Sequence, residues 1–83
     1  MKAQINSEAI RRFIGEWFKQ AECQGRSVIA VKAGDVHKSL GLQNRMPQIV
    51  SAMRTLMRDD DILAKAPPSG QGSDFIIVYR LPR

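Results

Sequence analysis

Ile10, Phe13, Ile14, Trp17, Phe18 and Ala21 recur at the three- and four-residue spacing that lays apolar side chains along one side of an α-helix. That stripe predicts a helix over residues 7–24. Asn6 or Ser7 can act as N-cap, and Glu8 suits the positive end of the helix dipole. With Asn6 as cap, Ile5 and Ile10 occupy hydrophobic-staple positions, and Gly25 offers the stop. A one-sided helix must bury its stripe against other elements. With 83 residues in all, the rest of one domain, residues 1–83, has to supply that cover.

The remaining elements are short. Val28–Val31 is β-branched and reads as a strand. Residues 33–40 read as a short helix with Val36 and Leu40 on one side, ended by Gly41. Residues 42–46 form a turn, and Pro47 suits the first position of the next helix, where its missing N–H does no harm. Ile49, Val50, Met53, Leu56 and Met57 then recur at helical spacing, with Ile49, Met53, Leu56 and Met57 defining the expected buried side. Asp59, Asp60 and Asp61 oppose the helix dipole, so this helix ends at or before Asp59, and the three acids read as a solvated turn. Ile62–Lys65 is a strand, residues 66–74 a Pro/Gly/Ser loop, and Phe75–Leu81 the strongest strand in the chain. The order α-β-α-α-β-loop-β implies an α+β fold with three helices packed on a small antiparallel sheet.

The run Val36-His37-Lys38-Ser39-Leu40-Gly41-Leu42, a turn, Ile49, Met53 and Leu56 at helical spacing, and then Ile62-Leu63 resembles the second helix, recognition helix and first wing strand of the winged helix-turn-helix superfamily. The resemblance covers nearly the whole chain as element order. It implies double-stranded DNA binding by a transcription regulator or mobile-element accessory protein, with a recognition helix at about 45–58 in the major groove. This chain differs from the usual pattern in its longer turn, residues 42–47, and in carrying His37 where a small residue is common.

Charge distribution fits a polyanionic partner. The net charge is +5, yet residues 1–58 hold ten Lys/Arg against four Asp/Glu, whereas residues 59–83 hold three against four. On the helix expected at 45–58, the side opposite the apolar stripe carries Gln48, Ser51, Thr55 and Arg58, with Arg54 on its flank. Gln can pair with adenine, Arg with guanine, and hydroxyls with phosphates or base edges. Asn44 and Arg45 stand at the helix N-terminus, where a phosphate is favoured, and Lys32 and Lys38 flank the preceding helix. The expected wing tip, residues 67–73, has no Lys or Arg; Lys65 lies at its base and Gln71 is its one long polar side chain.

The residues give little support to catalysis. His37 is the single histidine and reads as an exposed helix residue; Ser69-Gly70-Gln71-Gly72 lacks the lysine of a phosphate loop; no Cys/His spacing suits a metal. We therefore expect no enzyme and no cofactor. The single cysteine, Cys23, reads as a buried structural thiol in a reducing, cytoplasmic protein. No apolar run is long enough to span a bilayer, and residues 1–12 lack a signal-peptide pattern. The alternative function is a winged-helix module for protein interaction, which an exposed apolar patch near Trp17 or Met46 would favour. The first helix is the candidate surface for a homodimer. RNA binding lacks the aromatic-rich sheet motif it would require.

Overall fold

The computed structural model describes residues 6–42, 45–66 and 72–83, and the predicted elements follow in the expected order. They are α1 (Ser7–Cys23), β1 (Val28–Lys32), α2 (Ala33–Ser39), α3 (Met46–Leu56), β2 (Ile62–Lys65) and β3 (Ile76–Arg80). The class is α+β, with three helices and a three-stranded antiparallel sheet of order β1-β3-β2. The central strand β3 aligns Ala30 and Ile62 with Val78 from its two sides.

Local chemistry sets the helix ends. Asn6 caps α1, its side-chain oxygen accepting from the Ala9 N–H at 2.8 Å. The staple partner Ile5 lies outside the described residues. Both α1 and α2 end in a left-handed glycine, Gly25 at φ 77° and Gly41 at φ 65°. After α1, Gly25 N–H donates to Glu22 C=O and Arg26 N–H to Ala21 C=O; after α2, Gly41 N–H donates to Lys38 C=O and Leu42 N–H to His37 C=O. This paired return of donors to the last turn turns the chain sharply at both places.

The core is built from one side of each element. Ile10, Ile14, Phe18 and Ala21 of α1 meet Ile49, Val50, Ala52 and Met53 of α3, with Val36, Val31, Phe75, Ile77 and Tyr79 filling between them. Each large aliphatic chain so buried contributes about 1.5–3 kcal/mol. Phe18 and Tyr79 meet as a tilted pair with centroids 4.8 Å apart, and the buried Tyr79 hydroxyl donates to the Met53 carbonyl at 2.8 Å. Burial raises the phenol's pKa further above its ordinary value of 10.0, so it stays a neutral donor. On α3 the buried side takes in Val50 and Ala52, while the expected Leu56 and Met57 are half-buried. The arc is wider than a single stripe because α1 and α2 both cover this helix.

Two sequence expectations are corrected here. Cys23 is exposed. It lies two residues beyond buried Ala21, about 200° around the helix and so on the solvent side. The acid turn is not wholly solvated either, because Asp61 is buried. Its carboxylate accepts from the Arg58 N–H at 2.7 Å and the Arg80 N–H at 2.8 Å, and forms an ion pair with Arg83 at 3.0 Å. Asp59 and Asp60 remain exposed.

The start of α2 is fastened to the segment before β3. Ala33 N–H donates to Phe75 C=O at 2.9 Å and Gly34 N–H to Ser73 C=O at 3.0 Å, which occupies two helix-terminal donors. A Cβ on Gly34 would meet Ser73 Cβ at 2.9 Å and its carbonyl oxygen at 3.0 Å. Gly34→Ala is therefore expected to cost about 1–3 kcal/mol through this overpacking, outweighing alanine's better helix propensity. Urea unfolding measures it; an unchanged midpoint would show that the contact yields freely.

Candidate nucleic-acid interface

The expected surface lies on α2, α3 and the turn after α3. The predicted recognition helix, 45–58, is shorter than expected: Arg45 is the N-cap residue and Met57 the C-cap. Arg58 consequently stands beyond the helix, held by its backbone N–H on Asp61. Pro47, Ser51, Arg54 and Thr55 are exposed on α3, and Arg45 and Arg58 are exposed at its two ends. Residues three, four and seven apart share one side of a helix, so this is a single outer strip.

Several of these groups are already engaged. The Thr55 hydroxyl donates back to the Ser51 carbonyl at 2.9 Å, leaving its oxygen as an acceptor. The Arg54 guanidinium lies 4.9 Å from the centre of the Phe75 ring, a cation–π contact joining α3 to the segment just before β3. Gln48 is half-buried and has an interaction within the chain. Asn44 and the tip residues 67–71, Gln71 among them, lie outside the described residues.

His37 is not the simple exposed residue expected. It is half-buried, and its Nε2 accepts from the Arg45 N–H at 3.3 Å. The imidazole thus joins α2 to the N-cap of α3, and a spacing of eight residues carries no periodic signal. The Arg45 side chain makes no capping hydrogen bond to α3, and the first turn of α3 holds no acid to offset the positive end of its dipole.

Ion pairing divides the cations. Among the described residues, Arg12, Lys19, Lys32, Lys65, Arg80 and Arg83 each lie within 4.0 Å of a carboxylate. Lys38, Arg45, Arg54 and Arg58 have no such partner there, nor do Arg11 and Arg26. Lys32 stands apart from the other predicted contacts, sharing Asp74 with Lys65 at 3.7 and 3.9 Å. No acid occurs between Asp35 and Asp59.

No group of three His, Cys, Asp or Glu side chains suitable for a metal occurs among the described residues. No described helix is long and apolar enough to cross a membrane. Comparison with protein-family models, curated proteins and solved structures finds no significant match. The functional reading rests on the chemistry of the α2–α3 surface.

Proposed function

We propose that this chain is a winged helix-turn-helix module that binds double-stranded DNA, with the outer strip of α3 in the major groove and the β2–β3 hairpin as its wing. The observation carrying the reading is the acid-free run 36–58, whose Lys38, Arg45, Arg54 and Arg58 lack carboxylate partners among the described residues while six other cations are paired. Unneutralised cations retain their attraction for phosphates, whereas a paired cation must first give up its acid.

The roles divide by position. Lys38, Arg45 and Arg58 contact phosphates, with the positive end of the α3 dipole assisting at Arg45. Ser51, Thr55 and Gln48 face base edges, and Arg54, steadied on Phe75, reaches a guanine or a phosphate beside the wing. The protein-interaction alternative draws support from Ile62 and Leu63, which are 59% and 39% exposed on the edge strand β2. Trp17 and Met46 are half-buried against the core and form no such exposed patch.

Arg58→Ala separates the two readings, because that side chain makes no described ion pair and packs into no core. Fluorescence anisotropy with mixed-sequence duplex should show binding weakened uniformly across sequences and a salt slope shallower by about 1. Unchanged affinity would remove Arg58 from the surface. Arg54→Ala is a less clean probe, since it also removes the packing on Phe75.

A further inference from the structure

A cavity of about 230 Å³ opens between α1 and β1, lined by Trp17, Gln20, Ala21, Gln24, Arg26 and Ile29. No lining residue comes from α2 or α3, so the cavity is separate from the proposed DNA surface. Its walls divide chemically. Trp17, tilted against Phe13 with ring centroids 5.4 Å apart, supplies a flat apolar wall with Ile29 and Ala21. Gln20, Gln24 and Arg26 supply N–H donors, and none of these side chains has a hydrogen bond or ion pair to another described residue. No acid lines the space.

We infer that this cavity binds a small carboxylic acid with a planar apolar body. The apolar part lies along Trp17 and Ile29, and the carboxylate takes the Arg26 guanidinium with an amide from Gln20 or Gln24. Arginine's planar fork matches a carboxylate in bidentate fashion, and its charge repels cationic competitors. The volume falls below the usual range of about 300–1,000 Å³ for ligand pockets, which favours a one-ring acid over a nucleotide or a long chain.

Trp17 is the chain's single tryptophan, so its fluorescence reports directly on the site. Benzoate titrated onto the whole protein should give a saturable change in Trp17 emission. It should also shift the NMR signals of the Trp17 indole N–H and the Gln20 and Gln24 amides. Benzamide, the same shape without the charge, should bind at least about tenfold more weakly, and Arg26→Gln should weaken benzoate by a similar factor. Arg26 is exposed, and its fold-supporting bond to Ala21 C=O comes from the backbone, so the variant keeps its structure. Circular dichroism checks this. The inference fails if benzoate gives no saturation up to about 10 mM, or if benzamide or the variant responds equally. It also fails if inorganic phosphate or an acetylated dipeptide with a free carboxylate occupies the site in place of benzoate.

Discussion

Asp61→Ala is expected to remove about 3–5 kcal/mol of folding stability, a large part of what a domain of this size possesses. The side chains of Asp61 and Arg83 are 0% and 7% exposed, and their charges lie 3.0 Å apart. Removing the acid orphans the Arg58 and Arg80 N–H groups at once and leaves the buried Arg83 guanidinium without its counter-charge. Arg83 also donates to the Leu56 and Arg80 carbonyls, and its guanidinium sits 5.1 Å from the ring centres of both Phe18 and Tyr79. Its backbone N–H reaches Glu22 at 3.0 Å, so one residue ties α1, α3 and β3 to the turn before β2. Arg83→Met should cost less, because the two backbone donors keep their acceptor. The double variant should cost less than the sum of the two changes, since each removes the same ion pair. Urea unfolding of the set measures the coupling; strictly additive losses would show that the pair acts as two independent contacts.

The same carboxylate sets an acid limit. Burial raises its pKa, but the Arg80 and Arg58 N–H groups and the Arg83 charge outweigh that and hold it below its ordinary 3.8. A depressed folded-state pKa means that the unfolded chain takes up the proton first as pH falls. The stabilisation is therefore complete well above pH 3.8 and is lost below it, as pH descends through the folded value. Asp61→Asn should flatten this part of the stability profile. A wild-type profile already flat below pH 4 would contradict the assignment.

The second large effect is expected at the surface. Exchanging Lys38, Arg45 and Arg58 together for Gln should lower duplex affinity on the order of a hundredfold at moderate salt while leaving the melting temperature nearly unchanged, since none of the three side chains has a described ion pair. The salt slope should flatten by about 2.7, one part for each lost phosphate contact. Equal affinity in the triple variant would remove the α2–α3 surface from DNA recognition and turn attention to Ile62 and Leu63.

The elements were legible in the sequence because each carried a local signal. The stripe from Ile10 to Ala21, the glycines at 25 and 41 and the β-branched runs of β1 and β3 all depend on neighbours near in sequence. What stayed hidden depends on distant partners. Asp61 looked like one acid among three, and only its meeting with Arg80 and Arg83 makes it a buried anchor. Lys32 looked as available as Lys38 until Asp74 came within reach from the far end of the hairpin. His37 faced its acceptor role only when the turn brought the Arg45 N–H beside it. The cation strip was half visible: the absence of acids from 36 to 58 could be read directly, but the pairing of the other cations could not.

Anisotropy of the intact protein on mixed-sequence duplex DNA, repeated across a salt series, tests the central claim most directly. Four unpaired cations on the α2–α3 surface predict a linear fall of log affinity with log salt, with a slope of about −3 to −4. Absence of binding at low salt, or binding indifferent to salt, would contradict a phosphate-contacting surface.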